Sequence, residues 1–315
     1  MQKVLSLCFP TYNRGWCVKE QLARIQKLPA ETLSKIEIII SNNCSTDDTH
    51  EIVQKAISQG LECRYFLNET NLGMDGNFVA CFKRASGKYI WLLGDDDYFL
   101  PDSVIRLVDF LSTSDTMGLI HIKQGKPNTN ELVSTYFQKT NEYVREISYW
   151  TTFISANIVN ASYVPVIEFD KYFGTFFTLM PLYITALSKE NMNSIINYRV
   201  FEGAKDHKRN GGYNFFQVFV TNYLNIWEEF LEKGCINKTT FFYLKKNIFK
   251  ELIVPQMFRL LIEKKRGRLS TDGAIKIVFD SYGNTFYFYS FPFTLLKIWA
   301  YCKVYKPVKS LFSKK

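Results

Sequence analysis

Short apolar segments alternate with segments of helical pattern over residues 1–115. The apolar runs at residues 4–9, 36–40, 64–67 and 89–93 have the length and composition of buried strands. Segments with helical spacing or helix-capping residues stand between them. Strands that alternate with helices at these intervals are typical of βαβ units. The sequence therefore predicts an α/β fold with a mostly parallel sheet flanked by helices.

Polar segments follow three of these predicted strands directly. TYNR follows the first strand, SNNCSTDD follows the second, and GDDD follows the fourth. The carboxyl ends of parallel strands meet at one edge of a sheet, and α/β proteins bind their ligands at that edge. We therefore expect the three segments to converge there and to form the functional site.

The third of these segments contains three consecutive carboxylates, Asp95, Asp96 and Asp97. Like charges so close together repel one another, and a divalent cation among them lowers that cost. Mg²⁺ and Mn²⁺ prefer oxygen ligands and also bind diphosphates, so such an ion can neutralise the charge on a departing diphosphate. The pattern predicts a Mn²⁺ or Mg²⁺ site. The alternative is a solvated loop that caps the following helix.

Three motifs in series resemble one known family. They are LSLCFPTYNR, EIIISNNCSTDDT and NLGMDGNFVACFKRASGKYIWLLGDDDYFLP. Over about residues 1–115, they are similar to the nucleotide-binding half of family-2 glycosyltransferases of the GT-A fold. Within that family they resemble bacterial enzymes that build surface polysaccharides, of the abequosyltransferase-like type. The resemblance implies a GT-A domain that moves a sugar from a nucleotide-diphosphate donor to a saccharide acceptor. A lipid-linked acceptor in surface polysaccharide or lipopolysaccharide synthesis is expected.

The resemblance also assigns nucleotide-sugar contacts to individual residues. The first-strand motif would lie along the base and ribose, and the loop after the second strand would complete that contact. Asn42 stands where the family more often has an aspartate, but an amide carbonyl also accepts hydrogen bonds. The residues assigned in this way are Pro10, Thr11, Tyr12, Arg14, Asn42, Ser45, Asp47, Asn71, Gly73, Asn77, Asp95 and Asp96.

Within GDDD, Gly94 stands at the first acidic position of the commoner family pattern. The resemblance therefore implies that the metal ligand is Asp96 or Asp97, and both are candidates. Asp95 would then face the ribose or the sugar. We expect all three carboxylates to be essential.

The motifs do not identify a catalytic base. Inverting members of the family carry a Glu-Asp pair that supplies the general base for the acceptor hydroxyl, but the matching segment here, residues 173–187, contains no carboxylate. Either another group is the base, or the reaction retains stereochemistry, or the acceptor binds differently. The nearby candidates are Asp170, Glu202, Asp206 and His207, each with a structural role as the alternative.

A basic segment with glycines, residues 202–216, is a predicted lid. Lys208 and Arg209 precede Gly211 and Gly212, and glycine gives the backbone freedom to close. Charged side chains on such a loop can contact a diphosphate and exclude water. The alternative is an exposed polar loop.

The second half of the chain differs in character from the first. Aromatic residues make up 16% of the chain, and many of them lie in helical patterns in this half. Residues 214–233 and 239–263 predict long helices, the second with a break at Pro255. We expect residues 1–205 to form the GT-A nucleotide-sugar-binding and catalytic domain and residues 206–315 to form a helical region.

The C-terminus is both basic and aromatic. The net charge of the chain is +9, and such an excess attracts anionic partners. The apolar stretch at residues 286–302 is too short to span a bilayer and contains Pro292 and Lys297, whereas aromatic residues flanked by lysines suit the membrane interface. We therefore expect peripheral attachment to an anionic membrane surface, at the inner face of the cell membrane. A helix packed on the domain is the alternative.

Other classes of protein fit the sequence less well. Seven cysteines without metal-site spacing and an N-terminus without a signal segment favour a cytoplasmic protein. A nucleic-acid binder would not carry carboxylates at its strand ends, where they repel phosphates. A nucleotidyltransferase would carry a glycine-rich, basic loop after the first strand, and FPTYNRG has a single glycine. A non-catalytic nucleotide-binding relative stays open, because no base is identified.

Overall fold

The computed structural model describes residues 2–123, 131–204, 212–265 and 267–285. The chain divides into two compact units, Met1–Lys208 and Arg209–Lys315. The described part of the first unit mixes strands and helices, and the described part of the second is helical.

Ten strands are described in the first unit. They are β1 Leu5–Thr11, β2 Ile36–Asn42, β3 Arg64–Leu67, β4 Tyr89–Leu92, β5 Asp97–Phe99, β6 Leu119–Lys123, β7 Val133–Phe137, β8 Asn157–Asn160, β9 Asn193–Asn197 and β10 Phe201–Gly203. Eight form one sheet in the order β3-β2-β1-β4-β8-β6-β9-β7, and β5 pairs separately with β10. The strands β1 to β4 are parallel to one another, whereas β8 is antiparallel to both β4 and β6. The carboxyl ends of β1, β2 and β4 therefore share one edge.

Helices stand between most of these strands. They are α1 Gly15–Ile25, α2 Ala30–Lys35, α3 Thr49–Ser58, α4 Gly73–Arg84, α5 Pro101–Thr113, α6 Thr140–Ile147 and α7 Met180–Lys189. Helix α5 shows why they form: Pro101 starts it, where a missing N–H costs nothing, and Val104, Leu107, Val108 and Leu111 recur at helical spacing and are buried.

The interior of the sheet explains the apolar runs in the sequence. Both β1 and β2 are buried along their whole length, as expected for central parallel strands covered on both faces. Helix α7 packs closely against β6: a Cβ on Gly118 would lie 2.2 Å from the carbonyl oxygen of Ala186. Only a glycine allows this approach of helix to strand.

The predicted α/β architecture is confirmed, but half of the large sheet was not predicted. Strands β6 to β9 read LIHIK, VSTYF, NIVN and NSIIN, and none of them has more than two consecutive apolar residues. Strands β3 and β4 are as short, but RYFL and YIWL keep a longer apolar run. The apolar run that identifies a buried strand is therefore missing from β6 to β9.

The second unit is a set of helices rich in aromatic residues. They are α8 Tyr223–Glu232, α9 Lys238–Ile248, α10 Val254–Met257 and α11 Ala274–Tyr282. The structure has no break at Pro255, contrary to the prediction. The chain stays helical there, and π-helical turns at Phe249–Ile253 and Phe258–Ile262 stand on either side of α10. A π turn shifts the hydrogen-bond pattern around a residue that has no N–H to donate. Among the helices of the described ranges, none combines the length and apolarity that crossing a membrane requires.

Candidate functional site

The three aspartates lie in a turn that leaves the carboxyl end of β4. The N–H of Asp97 donates to the carbonyl of Gly94 at 2.9 Å and closes the turn. The strand β5 then pairs with β10, where Asp97 stands opposite Gly203, and the N–H of Ala204 donates to the carbonyl of Asp96 at 2.7 Å. The short second sheet therefore fixes the backbone of the aspartate loop.

Asp95 connects this loop to the end of β1. Thr11 donates its hydroxyl to Asp95 Oδ2 at 3.1 Å, and Arg14 Nη1 donates to Asp95 Oδ1 at 2.7 Å. The same Arg14 nitrogen lies 2.9 Å from Asp96 Oδ2. Burial raises the pKa of Asp95 to about 6, the Arg14 guanidinium opposes this rise, and the neighbouring Asp96 adds to it. Arg14 thus supplies a positive charge between two of the three carboxylates.

Asp97 is held from a different direction by Ser155. The Ser155 hydroxyl donates to Asp97 Oδ2 at 2.6 Å and accepts from the N–H of Gly94 at 3.0 Å. The Ser155 carbonyl accepts from the indole N–H of Trp91 at 2.8 Å. Ser155 is fully buried in the 3₁₀ turn before β8, and no motif in the sequence marks it.

The turn after β1 aims Arg14 at the aspartates. Asn13 adopts a left-handed conformation with φ of 53°, which asparagine tolerates better than most residues. Pro10 is buried within β1, whereas the ring of Tyr12 is 38% exposed and Trp16, in α1, is 45% exposed. The two exposed rings leave aromatic faces available close to the end of this strand.

The loop after β2 is joined to the loop after β1. The N–H of Asn13 donates to Ser45 Oγ at 2.9 Å, and the N–H of Gly15 donates to Asp47 Oδ2 at 3.0 Å. Asn42 is fully buried, and its side-chain oxygen accepts from the N–H of Ser45 at 2.9 Å. In this structure Asn42 therefore supports the loop instead of presenting an exposed acceptor to a ligand. The structure thus brings the first two polar segments together.

The predicted residues of the NLG loop have mainly supporting contacts. Asn43 Nδ2 donates to Asn71 Oδ1 at 2.8 Å and to the carbonyl of Gly73 at 3.0 Å. Asn77 is buried; its amide oxygen accepts from the Ser41 hydroxyl at 2.6 Å, and its amide nitrogen donates to the Ser41 carbonyl at 3.1 Å. Asn77 therefore braces β2 from α4.

The candidate bases lie in different settings. Asp170 is exposed in a 3₁₀ turn. Glu202, in β10, is half-buried and makes ion pairs with Arg24 at 3.2 Å and Arg199 at 3.1 Å. Each of its two carboxylate oxygens is therefore paired with an arginine, which disfavours a role as a free base. The remaining candidates and the lid residues lie outside the described residues: Asp206, His207, Lys208 and Arg209.

Two carboxylates of the aspartate loop, those of Asp96 and Asp97, have oxygens placed to bind a cation. A Cβ placed on Gly94 would lie 3.3 Å from both Asp96 Oδ1 and Asp97 Oδ2, so the two carboxylates converge over the glycine that replaces the usual acidic position. Across the described ranges, no group of three or more His, Cys, Asp or Glu side chains forms a complete metal site. The two carboxylates fit a cation whose other ligands come from a diphosphate or water.

The profile of Glycosyl transferase family 2 matches residues 6–163, half of the chain. Abequosyltransferase RfbV of Salmonella typhimurium is 36% identical over 122 residues, which are 38% of this chain and 36% of that protein. GalNAc(5)-diNAcBac-PP-undecaprenol beta-1,3-glucosyltransferase of Campylobacter jejuni is 32% identical over 105 residues, 33% of either chain. The chain thus matches about a third of the length of these relatives.

The fold is similar to that of S. aureus TarS 1–349, with a TM-score of 0.61 at 16% identity over 84% of this chain and 77% of that chain. The same protein in complex with UDP-GlcNAc gives a TM-score of 0.56 at 18% identity over 72% of this chain and 66% of that chain. This likeness concerns the fold, and it confirms the GT-A prediction. The predicted family is confirmed by the profile match: the chain belongs to glycosyl transferase family 2.

Proposed function

We propose that this protein transfers a sugar from a nucleotide-diphosphate donor to a lipid-linked saccharide in the synthesis of a bacterial surface polysaccharide or lipopolysaccharide. One observation carries the proposal: the ends of β1 and β4 meet at Asp95, where Thr11 and Arg14 hold its carboxylate. Family membership supports it, as do two relatives that are named as sugar transferases, one of them for a PP-undecaprenol-linked saccharide.

The donor would lie along the carboxyl ends of β1, β2 and β4. The exposed ring of Tyr12 offers an aromatic face to the base, and the buried Asn42 would support the loop beside it through its hydrogen bond with Ser45. Asp95, at the centre of this edge, would face the ribose or the sugar. TarS, which shares the fold, has been solved with UDP-GlcNAc, so UDP-sugars are the first donors to test.

Asp96 and Asp97 would hold Mn²⁺ or Mg²⁺, since both ions prefer carboxylate oxygens. The bound ion would neutralise negative charge on the leaving diphosphate. Arg14 lies against Asp96 and adds a fixed positive charge on the same side. Ser155, through its hydrogen bond to Asp97, would keep one ligand in orientation.

Two segments outside the described residues complete the proposal. Lys208 and Arg209 would close over the diphosphate as a lid, because their charge and the following glycines suit that task. Residues 286–315 would attach the protein peripherally to the cytoplasmic face of an anionic membrane, where lipid-linked acceptors are accessible. The carboxylates at the strand ends favour a sugar nucleotide over nucleic acid as the anionic partner.

A turnover assay tests the proposal. The purified protein is incubated with a panel of nucleotide-diphosphate sugars, Mn²⁺ and vesicles that contain saccharides linked to undecaprenyl diphosphate. We expect one donor to release its nucleoside diphosphate while the acceptor gains the mass of one sugar, and Asp97→Asn to abolish both. Release of a nucleoside monophosphate, or no turnover of any donor with either cation, would contradict the proposal.

A further inference from the structure

The segment at residues 173–187 has no carboxylate of its own, but a carboxylate from α4 contacts it. Asp75 lies in the first turn of α4, and its Oδ2 accepts a hydrogen bond from the N–H of Gly174 at 2.8 Å. Gly174 has a φ of +78°, which glycine adopts without strain. The turn therefore presents its N–H to the helix, and an acidic group stands against the segment that lacks one.

The other oxygen of Asp75 has no protein partner. Oδ1 is buried, and no described residue makes a hydrogen bond to it. The hydroxyl of Tyr183 in α7 also has no hydrogen-bond partner among the described residues, and this residue is only 1% exposed. Both residues line one small cavity with room for about one water molecule. Buried polar atoms in native proteins nearly always have a partner, so the cavity is suited to a water molecule or a substrate hydroxyl.

One residue that lines the cavity is next in the chain to a residue that holds the aspartate loop. The cavity lining includes Thr151 and Ile154, and the next residue along the chain, Ser155, donates to Asp97. Helix α4 begins soon after the chain leaves β3, so Asp75 lies at the same carboxyl edge of the sheet as the aspartates. A carboxylate, a cavity and the proposed donor site therefore share one edge.

Exposed aromatic rings come from the same segments that line the cavity. Trp150 is 54% exposed, Phe173 is 43% exposed and Phe176 is 40% exposed. Aromatic rings beside a few polar groups are typical of small-molecule sites. These rings suit the apolar faces of a sugar acceptor.

From this arrangement we infer that Asp75 is the general base on the acceptor side, an inference that rests on the proposed glycosyl transfer. The acceptor hydroxyl gives its proton to the Asp75 carboxylate, directly or through the one water, as its oxygen bonds to the anomeric carbon of the donor. The bond from that carbon to the diphosphate breaks, and its electron pair leaves with the diphosphate. Tyr183 is a positioning residue that holds the water or the hydroxyl beside Asp75.

Asp75→Asn separates a base from a structural side chain, because the amide oxygen can still accept from Gly174. We expect kcat for transfer to fall about 100-fold or more, the loss typical of a missing general base, with unchanged KM and unchanged donor affinity by calorimetry. Asp75→Ala should regain transfer when formate is added, since formate supplies a base but does not repair a displaced loop. Asp102→Asn, in the first turn of α5, is the matched control and should transfer normally.

The outcomes separate this role from the proposed function. If Asp75→Asn transfers at the wild-type rate, the role of Asp75 is wrong, while donor binding and the proposed function stand. If the wild-type protein binds no nucleotide-diphosphate sugar, both are wrong. If Asp75→Asn shows no cooperative thermal transition, Tyr183→Phe decides, because it should lower kcat without changing donor affinity; an unchanged kcat would overturn the inference.

Discussion

Ser155 holds the aspartate loop together from outside any recognisable motif. Its hydroxyl connects the Asp97 carboxylate to the backbone of Gly94, and its carbonyl anchors the indole of Trp91. Hydrogen bonds of this kind orient the ligands of metal sites, and losing one typically weakens metal binding. Ser155 is therefore the residue through which the proposed cation site is coupled to the core.

Ser155→Ala removes the hydrogen bond to Asp97 and leaves the N–H of Gly94 without this acceptor. We expect the affinity for nucleotide with Mn²⁺ to fall on the order of tenfold to 100-fold, the typical effect of losing such a supporting group. The free energy of unfolding should fall by about 1–3 kcal/mol. Calorimetry and urea unfolding measure the two effects. Ser162→Ala, which loses a hydrogen bond to Asn160, is the control; a loss of stability with full affinity in Ser155→Ala would contradict the account.

Local features predicted that some of these side chains lie close together. Consecutive charges and strand ends placed Asp95, Asp96, Thr11 and Arg14 at one edge of the sheet, and the structure brings these four side chains into contact. The sequence did not show that Arg14 lies between two aspartates. It also did not single out Ser155 or Asp75, because their partners are 58 and 99 residues away in the chain.

Strands β6 and β8 form the part of the sheet that the sequence pattern did not reveal. Their buried faces carry polar groups: His121 in β6 stands opposite Asn157 in β8, with His121 Nδ1 3.0 Å from the side-chain oxygen of Asn157. A cross-strand hydrogen bond satisfies both groups, so they tolerate burial. Such pairs break the apolar alternation of a strand. β1 and β2 also contain one, because Ser6 donates its hydroxyl to the carboxylate of Glu37 opposite it, but each of these strands keeps three consecutive apolar residues and was predicted readily.

His121 makes the stability of this sheet sensitive to acid. Burial lowers its pKa from the usual 6.5 to about 4, and the hydrogen bond to Asn157 opposes that shift. Between these values the unfolded chain binds a proton that the folded protein does not. Above about pH 6.5, His121 is neutral in both states and does not reduce the free energy of unfolding. As the pH falls through 6.5 toward 4, the unfolded state is favoured by protonation and the free energy of unfolding decreases.

His121→Gln should remove this pH dependence, because glutamine does not titrate but can donate the same hydrogen bond to Asn157. In the wild-type protein we expect His121 to account for about 2 kcal/mol of lost unfolding free energy between pH 7 and pH 5. Urea unfolding of both proteins at the two pH values measures the difference, in which the effects of other titrating groups cancel. An equal loss in the two proteins would contradict this assignment.

At the scale of the whole molecule, the net charge of +9 and the aromatic C-terminus are features of the sequence that the site does not use. Removing the residues after Asn284 should abolish binding to anionic vesicles while nucleotide affinity stays unchanged. Each lysine near an anionic surface contributes about 1 kcal/mol, so the attachment should weaken as salt screens it. Co-sedimentation with anionic and neutral vesicles, at low and high salt, tests this. Binding that ignores lipid charge and salt, or survives the truncation, would contradict the proposal.

The proposed function requires that the edge bearing Asp95, Asp96 and Asp97 binds a nucleotide-diphosphate sugar together with a divalent cation. Titration calorimetry measures this directly, with a panel of nucleotide-diphosphate sugars in Mn²⁺ and in chelator. We predict that one donor binds the wild-type protein in Mn²⁺, and that its affinity is lost in chelator and in Asp96→Asn and Asp97→Asn, both of which unfold like the wild type. Equal donor affinity in the wild type and the two variants would contradict the claim.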